Sequence, residues 1–239
     1  MPRLMDAAMG TALLGQGIDP LLAPLTHPRA VAAIHASHRE AGAEALLTAT
    51  FQANPATVGD RLEELGRAAV RLARSSRSAL VLGDAGPMGW PREFPDWDAL
   101  KLTLDALDGA DALLLETCST PQALEASAFA FHRAGWEEVW LSLAYHRVEG
   151  RVVSFSGHGP EVFARHAARH GVAALGVNCG KGLSMDDIAE VLRVYAENTS
   201  LPLFARPNAD AGEPGPLPGA AWVGGCCGTD ADWLRRMKG

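Results

Sequence analysis

ALLLETCSTPQALEASAFAFHRAGWEEVWLSLA, running from Ala112 to Ala144, reads as strand, helix, strand. Its ends, ALLLE (Ala112 to Glu116) and VWLSLA (Val139 to Ala144), are short apolar runs. TPQALEASAFAFHRAG between them spaces its apolar residues as a helix does. Two strands joined through a helix lie parallel, with a right-handed crossover. The alternation continues outward from this unit. Upstream stand RLM (Arg3 to Met5), EALL (Glu44 to Leu47) and ALVL (Ala79 to Leu82); downstream stand AALGV (Ala173 to Val177), PLFAR (Pro202 to Arg206) and AWVGG (Ala221 to Gly225). HPRAVAAIHASHREAG, LEELGRAAVRLARSS and SMDDIAEVLRVYAENT supply further helical patterns. Strand followed by helix, eight times over, predicts an α/β fold closed as a (β/α)₈ TIM barrel. An open doubly wound sheet is the alternative, weakened because DAAMGTALLGQG lacks the glycine spacing of a dinucleotide-binding turn.

The chain has 239 residues, slightly lean for a fold of about 250, so a compact single domain over residues 1–239 with shortened loops is expected. PNADAGEPGPLPGA, between the seventh and eighth strands, reads as a surface loop. A net charge of -7 with interspersed signs argues against a nucleic-acid partner. No apolar run approaches the ~20 residues of a membrane helix, and MPRLMDAAMG lacks the layout of a secretory signal, so a cytoplasmic protein is expected.

In a barrel the chemistry sits at the carboxyl ends of the strands. Those ends carry Asp6, Thr48 and Thr50, Asp84, Glu116, Tyr145, Asn178 and Cys179, Pro207 and Asn208, and Cys226 with Cys227. Three of the four cysteines therefore fall on one rim, two of them between Gly225 and Gly228. Adjacent cysteines rarely pair with each other, so a disulfide framework is not expected. Three convergent thiolates match a catalytic zinc site, which keeps its fourth position open. Cys118 has no spacing that requires metal. The eight histidines, His27, His35, His38, His132, His146, His158, His166 and His170, show no paired ligand spacing and are expected in surface or capping roles.

Read together, DAAMGT (Asp6 to Thr11), TATF (Thr48 to Phe51), GDAGP (Gly83 to Pro87), LLLET (Leu113 to Thr117), GVNC (Gly176 to Cys179), PNA (Pro207 to Ala209) and GGCCGT (Gly224 to Thr229) resemble the zinc-dependent homocysteine S-methyltransferase family. The resemblance implies a (β/α)₈ barrel with Zn²⁺ on Cys179, Cys226 and Cys227. It further implies that Asp6 and Glu116 receive the α-amino group of homocysteine. Thr48, Thr50 and Asn178 are substrate-binding candidates on the same rim.

The implied chemistry joins two small molecules, homocysteine and a methyl donor. A thiol of pKa near ~8.5 loses its proton on coordination and becomes a nucleophile. A donor whose leaving group departs neutral fits best, and a sulfonium, S-methylmethionine or S-adenosylmethionine, is favoured over betaine. Phe51, Trp90 and Tyr145 are aromatics that could face such a cation. Two positions depart from the family pattern, Ala7 where glycine is expected and Ala49 for asparagine, and the stretch from Pro87 to Glu116 is short by the family's standard, leaving little room for the usual third helix and loop. They leave open a zinc- and thiol-binding barrel that has lost or changed methyl transfer, or one that depends on betaine or a cobalamin-bearing partner.

Overall fold

Strands supply the frame, and each arises where β-branched, aromatic or leucine residues run between turn residues. In the computed structural model, which describes residues 1–89, 92–180 and 182–238, ten strands form. They are β1 (Arg3–Leu4), β2 (Ala45–Leu47), β3 (Leu80–Ala85), β4 (Ala112–Cys118), β5 (Val139–Leu143), β6 (Tyr145–Val148), β7 (Arg151–Ser154), β8 (Val172–Asn178), β9 (Leu203–Arg206) and β10 (Ala220–Val223). Eight of them pair in parallel in the order β1-β10-β9-β8-β5-β4-β3-β2. A parallel bridge between Met5 and Ala45, with Glu44 N–H donating to the Leu4 carbonyl at 2.7 Å, joins the two ends of that order. The sheet is thus a barrel, with helices between its strands, as the alternation predicted.

The remaining pair, β6 and β7, is an antiparallel hairpin that the sequence reading did not foresee. It follows β5 directly, and its first residue, Tyr145, is fully buried instead of standing at the rim. The Tyr145 and Tyr195 hydroxyls lie 2.6 Å apart, so this ring packs against the 185–198 helix. One further expectation is corrected, the loop expected between the seventh and eighth strands is present, and the strict alternation of strand and helix is broken there. A helix does fit after β3, at Trp97–Asp105, because Asp96 caps it by accepting from the backbone of Asp98 and Ala99. Between β9 and β10, by contrast, there is only the short 3₁₀ turn Ala209–Ala211, since a Pro/Gly-rich segment cannot sustain a helix.

Alternation along the strands separates two cores. Met5, Leu47, Leu82, Leu114, Trp140, Phe204 and Trp222 point inward and fill the barrel, with Trp140 at 5.3 Å from Phe204 and 5.6 Å from Trp222. Leu113, Leu115, Leu141, Leu143, Leu175 and Val177 point outward beneath the helices. The aromatic plug closes the barrel below the functional rim. No helix among the described residues is long and apolar enough to cross a membrane.

Helix Pro28–Glu40 also corrects the histidine assignment, because His35 and His38 share its inward face with Val31 and Ile34 and are buried. Burial lowers His35 to about 3, with His38 contributing, and His38 to about 4. Unfolded, both titrate near 6.5, so the stability they confer is complete above that pH and is lost as pH falls toward 4. Replacing His35, which has no ring hydrogen bond among the described residues, by phenylalanine is expected to remove about 2 kcal/mol of this acid penalty at pH 5. Urea unfolding of both proteins at pH 5 and pH 8 checks it. An equal change at the two pH values would contradict the assignment.

Candidate active site

Strand alternation places a polar layer directly above the aromatic plug. Leu82 faces inward, so Asp84 does too; Leu114 leads to Glu116, Trp140 to Ser142, Ala174 through Gly176 to Asn178, and Phe204 to Arg206. All five polar residues are buried. Asp6, just past β1, is buried with them.

Arg206 organises the layer. Its guanidinium donates to Asp6 Oδ1 at 3.1 Å and to Glu116 Oε1, and all three side chains are less than a tenth exposed. The second oxygen of Asp6 accepts from Leu47 N–H at 2.8 Å. Burial pushes Asp6 up to about 7 against the opposing pull of Arg206 and the Leu47 amide. Glu116 is likewise raised to about 7 by burial, opposed by Arg206. Arg206 is itself held above its ordinary value: burial opposes its charge, but Glu116 and Asp6 more than compensate. A guanidinium does not surrender its proton, so the three groups form a charged buried cluster. Arg206 was read only as the last residue of an apolar run; its inward parity with Phe204 was the signal that marked it.

Thr48 and Thr50 are committed to the strand ends. Their hydroxyls lie 2.7 Å apart; Thr48 Oγ1 accepts from Asp84 N–H, and Thr50 Oγ1 donates to the Asp84 carbonyl. Asn178 ties three strands together: its Oδ1 accepts from Ser142 Oγ at 2.6 Å and from Thr117 N–H, while its Nδ2 donates to Thr117 Oγ1. The same amide nitrogen lies 3.7 Å from Cys226 Sγ. Asn178 is absent from the cavity wall, whereas Thr48 and Thr50 form part of it.

The cysteines converge as the strand ends predicted. Cys179 takes a positive φ of 53° where β8 ends, a conformation that turns its side chain across the barrel mouth. The opposing loop is set by Gly225 N–H on the Asp6 carbonyl, Cys226 N–H on the Pro207 carbonyl, and Thr229 Oγ1 on the Cys226 carbonyl. Gly225 has no room for a side chain, since a Cβ there would meet Thr229 Oγ1 at 2.2 Å, and Gly228 turns at a φ of +79°. The Sγ atoms of Cys179 and Cys227 lie 3.6 Å apart, and those of Cys179 and Cys226 3.5 Å apart. Zinc–sulfur bonds of about 2.3 Å in a tetrahedron put sulfurs roughly 3.8 Å apart, so the spacing and the soft donor set fit that ion. Hydrogen bonds from Cys179 and Cys226 draw the Cys227 thiol down to about 3. Cys118 is buried outside the cluster, with its thiol directed to the Glu116 carbonyl.

A cavity of about 350 Å³ opens between these groups. Asp6, Asp84, Glu116, Arg206 and the three cysteines line it together with Ala7, Met9, Leu14, Leu47 and Phe51. Ala7 is buried, and it is not among the described residues with positive φ, so the chain passes the departure from glycine in an ordinary conformation. Ala49 also lines the cavity. Of the aromatics considered for a cation, Phe51 borders the cavity, Tyr145 does not, and Trp90 lies outside the described residues.

An eight-stranded parallel barrel with three thiols gathered at its carboxyl rim defines a class of site suited to a thiophilic metal and a small polar ligand. The family model for homocysteine S-methyltransferase matches residues 3–239, and the chain belongs to that family. It is 28% identical to the homocysteine S-methyltransferase of Escherichia coli, covering 98% of this chain and 94% of that protein. It is 29% identical to the methionine synthase of Mycobacterium tuberculosis, covering 97% of this chain but only 24% of the relative, so it spans about a quarter of that enzyme's length. The crystal structure of the E. coli homocysteine methyltransferase in its apo form superimposes with a TM-score of 0.79 at 25% identity, covering 99% of this chain and 95% of that one.

Proposed function

We propose that this chain transfers a methyl group from a sulfonium donor, S-methylmethionine or S-adenosylmethionine, to the thiol of homocysteine, giving methionine, with zinc held by Cys179, Cys226 and Cys227. The observation that carries this reading is the meeting of three sulfurs, 3.5–3.6 Å apart along two edges, at a cavity backed by buried carboxylates. Family membership and the E. coli relative that matches over nearly its whole length support the same acceptor.

Zinc bound to these three thiolates would supply one open position and the acidity that ionises an incoming thiol. The protein's own groups do the rest. Ala7, Met9, Leu14 and Phe51 give the cavity apolar surface against which the carbon skeleton of a small ligand can pack. Asp6, Glu116 and Asp84 outnumber the one guanidinium, Arg206, in the described cavity lining, a carboxyl excess that suits an ammonium on the acceptor and a sulfonium on the donor. In the transfer the thiolate electron pair forms the new S–CH₃ bond. The donor's C–S bond breaks with its electrons returning to sulfur, so a neutral thioether departs.

Methionine formation from homocysteine, measured with the zinc-loaded protein and each of S-methylmethionine, S-adenosylmethionine and betaine, tests the proposal. Turnover with a sulfonium donor is expected. Product from none of the three, with zinc retained, would leave the zinc- and thiol-binding barrel without methyl transfer as the better reading.

A further inference from the structure

The carboxylates assigned by resemblance to the acceptor's amino group are largely spoken for. Arg206 and Leu47 N–H take both oxygens of Asp6, and Arg206 takes one oxygen of Glu116. An ammonium that settled on Asp6 would have to displace a guanidinium that is itself buried, and would leave that cation without its partner. Uncompensated buried charge is strongly unfavourable.

Asp84 is in the opposite condition. It is 4% exposed, it lines the cavity, and its Oδ1 is buried with no hydrogen-bond partner among the described residues. Its backbone is fixed on both sides, with Thr48 Oγ1 accepting from its N–H and Thr50 Oγ1 donating to its carbonyl. The backbone of Asp84 is thus fixed at the cavity wall, and its carboxyl group has unused acceptor capacity at Oδ1. A buried oxygen in that state calls for a donor. Charge points the same way: Asp6, Asp84 and Glu116 face a single guanidinium, Arg206, among the described cavity residues. One further cation improves the balance.

We propose that Asp84 is the specificity-determining residue that receives the acceptor's ammonium group, because Arg206 holds Asp6 and one oxygen of Glu116. This rests on the thiol-acceptor reading and refines it. The site therefore selects amino thiols through Asp84, and Arg206 serves as a fixed internal counter-ion. Burial and the neighbouring Glu116 raise Asp84 well above the usual carboxylate range, and a cation beside it would favour its ionised form.

Calorimetric titration of the zinc-loaded protein with L-homocysteine and with 4-sulfanylbutanoate, the same thiol acid without its amino group, provides the test. The wild type is expected to bind the amino thiol at least about tenfold more tightly, the scale of one charge-assisted hydrogen bond. Asp84→Asn, which keeps the shape and removes the charge, is expected to abolish that preference while leaving the des-amino thiol within about twofold. Asp84→Ala serves as the second variant, with circular dichroism and zinc content confirming that each is folded and loaded. A preference retained in either folded variant, equal weakening of both thiols, or no preference in the wild type would each overturn the proposal while leaving the thiol-acceptor reading intact. Binding of neither thiol to the zinc-loaded wild type would overturn that reading itself, and the proposal with it.

Discussion

Cys226→Ser is expected to abolish zinc retention and to lower methyl transfer by more than the roughly hundredfold that follows from disturbing only the groups around a metal's ligands. Cys226 links the cluster to the buried polar layer. Its sulfur is 3.5 Å from Cys179, the Asn178 amide reaches it at 3.7 Å, and its backbone N–H is bonded to the Pro207 carbonyl at 2.7 Å. The serine hydroxyl would occupy nearly the same point but remains protonated and is a poor ligand for a thiophilic ion. Cys118→Ser provides the contrast, because that thiol is buried outside the cluster and its loss should leave the metal count unchanged. Metal analysis of the two purified variants decides it. The fold itself should survive in Cys226→Ser, since neither the aromatic plug nor the outer leucine layer includes any of the three cysteines. A far-ultraviolet spectrum of an unfolded chain would contradict this.

Arg206→Leu is expected to cost about 3–5 kcal/mol of stability at pH 8, the usual penalty for removing one partner of a buried ion pair. Leucine leaves Asp6 and Glu116 buried without their cation. The pH dependence has a definite sign. Both carboxyls titrate near 7 in the folded protein, above their unfolded values near ~4, so the folded state holds protons that the unfolded state releases. Their contribution is therefore full below about pH 4 and is lost as pH rises through 7. Without Arg206 both groups move further up, the loss extends to higher pH, and the gap between variant and wild type widens from pH 5 to pH 8. Urea unfolding at the two pH values measures the gap; a gap that narrowed toward pH 8 would mean that Arg206 does not hold two ionised carboxylates.

The fold was legible because it depends on repeated local signals. Apolar runs such as ALLLE and VWLSL alternate with helical spacing, and connection chemistry then leaves parallel pairing as the economical solution. Where the signal was not repetitive it failed. The β6–β7 hairpin lies in a stretch of mixed polarity after β5, and only its packing at Tyr145 and Val152 explains why it forms. The helix at Trp97–Asp105 was discounted because its segment looked short, although its Asp96 cap was present in the sequence. His35 and His38 were read as surface residues because a histidine on a helix gives no sign of which face it occupies until the neighbouring faces are packed.

The sequence by itself determined the barrel and the three sulfurs at its rim: strand periodicity fixes which residues stand at strand ends, and cysteines at those ends have few other places to go. Tertiary structure alone decided how the buried charges pair. Arg206 is 200 residues from Asp6 and 90 from Glu116 along the chain, and only barrel closure brings the three into one layer. No local pattern encodes that meeting, because the energy of a buried charge depends on which opposite charge the folded chain delivers beside it. The same closure leaves Asp84 Oδ1 at the cavity wall without a hydrogen-bond partner among the described residues, which sets Asp84 apart from the two carboxylates that Arg206 holds.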